Sequence, residues 1–422
     1  MPELLLSLDA TLCRRLLHDV LPSLSLLDPA CGSGAFLVAA MKTLINLYSA
    51  IVGKIDFLHD RALTDWLAAT RAAHPSLHYF IKKRIITDNL FGVDIMEEGA
   101  EIARLRLFLA LVASAHSVEQ LEPLPNIDFN ILAGNSLIGL LKVDPQRFDA
   151  VGEKKGAGRQ ALIRLSSKGS AAELPAFAVE TTVAPSKREK VAAFVAERNA
   201  DQDTTLVQLR SHIDNVRAES YAKLNQLLLD EFNALGIQFE QATWDDAKNK
   251  EGKSIKRPLT LADIEALTPF HWGYEFDQII NERGGFDAII ANPPWDAFKP
   301  NSKEFFEDYS ELVSKKKMTI KEFEEKQAEL LRQKDIRSAW TSYLSKFPHV
   351  SKYFRSVLQY RNQISTVDGK RVGTDINLYK LFTEQSYNLL RPSGRCGIIV
   401  SGGITNDLGA KQLRNLLFSL LI

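Results

Sequence analysis

Phe286-Asp287-Ala288-Ile289-Ile290-Ala291-Asn292-Pro293-Pro294-Trp295 reads as a short apolar strand running into a proline corner. Ala288 to Ala291 is apolar on both alternating faces, the pattern of a strand buried on both sides of a parallel sheet, and two successive prolines cannot continue its hydrogen-bonded ladder. The strand must stop at Asn292. Beyond it come an amide side chain, two carbonyls whose following nitrogens carry no hydrogen, and an indole. All stand at the carboxyl end of a strand, where open α/β folds bind ligands. Such groups suit an exocyclic amine on an aromatic base, whose lone pair is delocalised into the ring until acceptors hold its hydrogens in a pyramidal geometry. The side-chain carbonyl of Asn292 and the main-chain carbonyl of Pro293 are expected to accept one hydrogen each. Trp295 is expected to stack on the base, a contact worth roughly 1–3 kcal/mol. The alternative is a plain proline turn, because Asn-Pro and Pro-Pro are ordinary turn formers.

Upstream, Leu24-Ser-Leu-Leu-Asp28-Pro29-Ala30-Cys31-Gly32-Ser33-Gly34-Ala35-Phe36-Leu37 reads as strand, glycine turn and helix. Gly32 and Gly34 permit a tight backbone and close ligand approach, and a helix starting near Ala35 presents free amide hydrogens to a carboxylate or ribose. The third glycine of a dinucleotide fingerprint would fall at Leu37, so that reading is incomplete. Leu90-Phe-Gly-Val-Asp94-Ile95 then reads as a strand ending in a carboxylate. Asp94 is placed to accept ribose hydroxyls and Ile95 to cover an adenine face, while Asp94 also suits the cap of a helix starting at Met96. A third strand-like segment, Asn126 to Leu137, puts Asn135 and Ser136 after a turn; a strand and turn without a ligand is the alternative.

Together these segments resemble S-adenosylmethionine-dependent, amino-group DNA methyltransferases of the gamma motif order, the adenine-specific kind found in type II and IIG restriction-modification systems. Residues 24–37, 90–108, 126–139, 268–298 and 375–416 follow the family's segments in the family's order. The resemblance implies an α/β, Rossmann-like methyltransferase sheet with helical insertions, S-adenosylmethionine as cofactor and double-stranded DNA as partner. It implies a role in restriction-modification or phage defence. Carried over by position, Asp28, Gly32 and Gly34 shape the methionine pocket, Asp94 and Ile95 hold the ribose and cofactor adenine, Asn135 stands where the family usually has an acidic or amide residue, and Pro29, Ala30, Phe36 and Ser136 also belong to the cofactor site. Asn292, Pro293, Pro294 and Trp295 form the catalytic corner, and Tyr379 and Phe382 line the target pocket, with helix-core packing as their equal alternative. Thr268-Pro-Phe-His-Trp-Gly-Tyr-Glu-Phe-Asp277 resembles a segment that precedes the catalytic strand in restriction-linked members, but Asp277 replaces its usual proline, so no role is assigned to it.

Departures from the family matter too. The Tyr-Thr-Pro turn that closes over the cofactor is not visible, and Met1 to Leu21 reads simply as an amphipathic helix. Gly394 to Gly403 reads as the fifth strand and Asp407 to Phe418 as a helix, after which the chain stops. The expectation is a chain truncated at both ends, its recognition domain missing and a specificity or nuclease component carried elsewhere; no nuclease signature is evident.

The division read from the sequence is a cofactor-binding half at 1–141, a mostly helical insertion with a mobile loop at 142–265, the catalytic strand and corner at 266–300, a charged helical insertion at 301–374, and the end of the methyltransferase domain at 375–422. Within the first insertion, 152–190 reads as an exposed loop, and Val191 to Arg198 with Leu206 to Leu235 as an amphipathic hairpin. In the second, Glu304 to Lys334 alternates Lys and Glu at helical spacing, including Lys315 to Lys317; such runs are usually solvated surface.

With Lys plus Arg and Asp plus Glu equal at 52 each, the overall basic balance of a DNA-gripping protein is absent, leaving a missing recognition domain or charge clustered on one face. Cys13, Cys31 and Cys396 are too scattered for a disulfide framework or zinc site, and Cys31 and Cys396 read as packing residues. His18, His116 and His271 show no metal-ligand spacing, so no metal is assigned. The absence of a run of 18 or more apolar residues or a leader pattern points to a soluble cytoplasmic protein with no membrane partner. The competing readings are a fragment that binds DNA without catalysis and an amino-group methyltransferase acting on RNA or protein glutamine.

Overall fold

The apolar runs predicted as strands assemble side by side. In a computed structural model, which describes residues 8–115, 117, 127, 129–151, 206–310, 313, 318–367, 370–372 and 375–419, β1 (Leu26–Asp28), β2 (Leu90–Asp94), β3 (Ile131–Ala133), β4 (Phe286–Ala291) and β5 (Leu390–Ile398) form a parallel sheet in the order β5-β4-β1-β2-β3. The expected α/β Rossmann-like sheet is present. Register fixes what shares an end: Leu27 pairs with Ile289, Asp28 with Gly92, Asp94 with Ala133 and Ala291 with Ile398. The carboxyl ends of all five strands therefore open on one side.

Helix α1 (Ala35–Leu58) follows the glycine turn after β1, and α2 (Glu97–Val112) follows β2. Leu37, Met41, Leu44, Tyr48, Ile51 and Ile55 recur at helical spacing along α1 and are buried with Ala100, Ala103, Leu107 and Leu111 of α2 in the largest core cluster. By length and mean hydropathy α1 could cross a membrane, although Lys42, Thr43, Asn46 and Lys54 interrupt its apolar run. The burial of its apolar stripe is what a core helix requires. On the other face of the sheet, Phe91, Phe270, Trp272, Phe276 and Phe286 form an aromatic core with Leu27 and Ile289.

Strand β5 is an edge. A register shift between Leu390 and Arg395, and a proline at 392, interrupt its ladder, a usual way of blunting an edge. Cys396 on this strand is exposed rather than packed, whereas Cys31 is buried, as expected, and burial pushes its thiol well above its ordinary range.

Within 142–265 the described residues include α3 (Leu206–Ala234) and, beyond it, a hairpin arm. Phe239–Gln241 pairs with Ile255–Arg257, and Trp244–Asp245 with Lys250–Glu251. The loop 152–190, the helix at 191–198 and Lys315 to Lys317 lie outside the described residues. After the corner come α4 (Lys334–Ser345), α5 (Pro348–Ser356) and α6 (Leu378–Leu389). The hairpin shares one small core with α4 and the residues before it: Trp244 packs with Phe306, Leu330, Ile336 and Trp340. The Ala242 N–H donates to Ser345 Oγ at 2.9 Å and Trp340 Nε1–H to Glu251 Oε1 at 3.1 Å. Two insertions distant in sequence thus build a single unit.

Candidate active site

The sheet brings the sequence-predicted residues of the two halves to one end. After β1, the Cys31 N–H donates to the Val93 carbonyl at 3.0 Å, folding the turn back across β2. Gly32 and Gly34 have φ of 49° and 78°, and a Cβ on Gly34 would lie 3.0 Å from the Cβ of Ala103. Only glycine allows both that left-handed turn and the contact of α1 with α2. Phe36 is half-buried in the first turn of α1, Pro29 is buried and Ala30 half-buried.

Asp94 closes this turn from β2. Its Oδ2 accepts the Gly32 N–H at 2.8 Å and its Oδ1 accepts the Met96 N–H at 3.0 Å. The helix-cap role and a ligand role are compatible, because an ionised carboxylate has about four acceptor sites and the backbone uses two. Beside it Ile95 stands 62% exposed, an apolar side chain held out from the end of a strand. Asp28 is 1% exposed, and its Oδ1 accepts the Ala30 N–H at 3.1 Å. Burial, offset in part by that N–H and aided by the charge of Asp94, pushes its carboxyl up to about 7. A buried carboxylate beside a second carboxylate favours a cationic ligand. The set therefore fits S-adenosylmethionine: acid for its positive charges, Asp94 for ribose hydroxyls, and Ile95 for a ring face.

Asn135 and Ser136 are placed in the same rim with different duties. Asn135 Oδ1 accepts the Leu137 N–H at 3.2 Å, shaping the turn after β3. The Ser136 hydroxyl is buried and donates to the Pro29 carbonyl at 2.7 Å, so it ties the third strand to the glycine turn. The segment left without a role by sequence supports this turn. The Asn135 N–H donates to the Thr268 carbonyl and the Phe270 N–H to the Ile138 carbonyl. Trp272 Nε1–H donates to the Ser136 carbonyl at 3.1 Å, as does Gln385 Nε2–H. His271 is fully buried; its Nδ1 accepts the Leu140 N–H and its Nε2 faces Asn225 Oδ1. Burial pushes its imidazole down to about 3, so it stays neutral in this structural position. The signal for that scaffold was the density of aromatic residues from 270 to 276.

At the corner, Asn292, Pro294 and Trp295 are exposed and Pro293 is buried. Trp295, 51% exposed, donates its Nε1–H to the Ile399 carbonyl at 3.4 Å, a long bond that leans the indole toward the end of β5. The chain after the corner is clamped to the entry of α6: Phe298 N–H donates to Ile376 O at 2.6 Å and Leu378 N–H to Asp296 O at 2.9 Å. Tyr379 is buried with its hydroxyl beside Gly403, and Phe382 lies within a core cluster with Leu381 and Tyr360.

Comparison with known proteins agrees with this arrangement. Residues 88–368, more than half the chain, match the family described as Eco57I restriction-modification methylase. Residues 9–137 match that described as MmeI, DNA-methyltransferase domain. A protein of Methanocaldococcus jannaschii, whose name gives it as a candidate type II restriction enzyme and methyltransferase, is 30% identical over 302 residues. That alignment covers 68% of this chain and 23% of the relative.

Proposed function

The chain belongs to the Eco57I restriction-modification methylase family, and from that premise we propose that it methylates the exocyclic amine of an adenine flipped out of double-stranded DNA. The carrying observation is the position of the Asn292-to-Trp295 corner at the carboxyl end of β4, directly beside β1 and its Asp28 turn. S-adenosylmethionine, when bound, supplies an activated methyl group on a positively charged sulfur. Asp28 and the Gly32–Gly34 turn would hold its amino-acid end, Asp94 its ribose and Ile95 its adenine.

The protein's own contribution is placement. Asn292 through its side-chain carbonyl and Pro293 through its main-chain carbonyl each accept one hydrogen of the target amine, freeing its lone pair. Extruding a base costs a few kcal/mol, and stacking on Trp295 recovers roughly 1–3 kcal/mol. Holding amine and methyl donor in line is worth up to about 7–11 kcal/mol in favourable systems. A strong base is unnecessary, since the nitrogen becomes acidic only after gaining the methyl group. The setting within restriction-modification, alongside a recognition or nuclease component, is part of the same reading.

The test is single-molecule methylation sequencing of DNA from a methylation-free bacterial host expressing this chain or its Asn292→Ala variant. Modified adenines at a defined site, lost in the variant while cofactor binding persists, support the reading. Wild-type-like modification by Asn292→Ala, or cytosine as the modified base, would sink it.

A further inference from the structure

The indole assigned to the target base is half exposed, and its Nε1–H donates to the Ile399 carbonyl at 3.4 Å. Packing covers only part of the ring, so its orientation depends on where Ile399 is held. The Ile399 N–H continues the ladder onto the Ala291 carbonyl at 2.9 Å. Beyond it the chain makes a single helical turn, Gly403–Asn406. The Ile404 N–H donates to Ser401 O at 3.1 Å, the Thr405 N–H to Gly402 O at 3.1 Å and the Asp407 N–H to Gly403 O at 2.8 Å. Ser401 to Asp407 is thus one stitched piece, and what fixes Asp407 steadies the stretch that leaves Ile399.

Helix α6 reaches that piece with a lysine. The Lys380 side chain is only 4% exposed, and its Nζ lies 3.8 Å from Oδ2 of Asp407, a half-exposed carboxylate. Lysine is almost never buried this deeply without a partner, because an ammonium taken out of water needs a counter-charge. The residue before it touches the same piece: a Cβ on Gly403 would meet Asp407 Oδ2 at 2.8 Å and the Tyr379 hydroxyl at 3.2 Å. The entry of α6 is in turn tied to the corner, through the Phe298 N–H to Ile376 O and the Leu378 N–H to Asp296 O. Arg414 braces the turn from within its own stretch, donating to the Ile404 and Asp407 carbonyls, whereas Lys380 joins it to the helix beside the corner. The result is a closed frame running from the corner through α6, Lys380, Asp407 and the turn to Ile399, and back to Trp295.

We propose that Lys380 and Asp407 are positioning residues: their ion pair fixes the turn after β5 against α6 and so sets the orientation of the Trp295 indole. The clamp concerns the protein alone. That the indole so held receives the target base rests on the methylation reading above.

The experiment labels the full chain with 5-fluorotryptophan and follows its five tryptophans by fluorine NMR, Trp295 being assigned by the resonance lost in Trp295→Phe. Lys380→Met and Asp407→Asn should each shift the Trp295 resonance beyond its linewidth while Trp66, Trp244, Trp272 and Trp340 stay in place, and Lys380→Arg should keep the wild-type spectrum. Asp407→Asn alters the half-exposed partner with little change of shape, so it carries the test if Lys380→Met does not fold. In single-turnover methylation of DNA from a methylation-free host, the same two variants should lose rate by up to about a hundredfold, as misplacement does, with cofactor affinity unchanged. A Trp295 resonance unmoved in Asp407→Asn, or five resonances moving together, overturns the clamp. A Trp295 shift with the full methylation rate overturns its link to the base. A wild-type chain that modifies no adenine while Trp295 still responds sinks the methylation reading and leaves the clamp standing.

Discussion

The Gly32 amide hydrogen meets Asp94 Oδ2 at 2.8 Å, tying the turn after β1 to the end of β2 through the carboxylate assigned to the ribose. One side chain thus holds the turn's shape, with acceptor sites beyond the two that the backbone uses. Asp94→Ala leaves the Gly32 and Met96 N–H groups without their acceptor and removes the ribose contacts. Loss of a hydrogen-bond acceptor costs about 1–3 kcal/mol, so affinity for S-adenosylmethionine by calorimetry falls between about fivefold and a hundredfold, while Asp94→Asn, retaining one acceptor oxygen, falls less. Equal affinities in wild type and Asp94→Ala would remove Asp94 from the cofactor site.

Asp28 gives the fold a pH signature. Its carboxyl is raised from 3.8 to about 7, chiefly by burial, so the folded state retains a proton that the unfolded chain has lost. Below about pH 4 both states are protonated and Asp28 makes no difference; between about 4 and 7 stability falls as pH rises, and above 7 the loss levels off. The slope is about 1.4 kcal/mol per pH unit for one fully displaced proton. Urea denaturation of the ligand-free protein, compared with Asp28→Asn, should show this decline in wild type alone. Cofactor affinity should move the other way, strengthening as Asp28 ionises toward pH 7 and above. Parallel stability curves for the two proteins would contradict the assignment of a buried, protonated Asp28.

The strands and turns around the cofactor were legible because their signals are local. Leu26–Asp28, Leu90–Asp94 and Phe286–Ala291 are apolar runs stopped by Pro, Asp or Asn-Pro, and the turn at Gly32 and Gly34 announces its own backbone. The hairpin at 239–257 was not legible. It is short, charged and poorly alternating, and it is stabilised by Ser345, Trp340 and Arg337, about a hundred residues later. Ser136 looked like a ligand residue because it follows a strand, yet its hydroxyl is committed to Pro29. Phe382 likewise belongs to a core that draws on residues from 137 to 382. Sequence periodicity marks a buried face but does not say which other segment covers it.

Trp295 is half exposed and held by one long hydrogen bond, so the fold does not depend on it. Trp295→Ala should therefore melt within a degree or two of wild type while losing base stacking of roughly 1–3 kcal/mol. Expressed as kcat/KM on unmethylated duplex, that is a fall of between about fivefold and a hundredfold, with Trp295→Phe intermediate. A variant with full kcat/KM would show that the indole does not meet the target base.

Gly139 tests whether the aromatic segment before the catalytic strand is scaffold. It has φ of 147°, and a Cβ there would fall 2.0 Å from the Phe270 carbonyl oxygen, too close for any rearrangement short of moving the backbone. The Phe270 N–H donates to Ile138 O at 2.8 Å, so pushing the two stretches apart breaks that bond and loosens the seat of Trp272 against Ser136. Overpacking of this kind costs about 1–3 kcal/mol or more. Gly139→Ala should lower the urea midpoint by a corresponding amount without changing the denaturant slope. Because Ser136 carries the turn against Pro29, cofactor affinity should weaken along with stability, even though Gly139 touches no ligand. Unchanged stability in Gly139→Ala would mean that the 268–277 segment does not brace the cofactor rim.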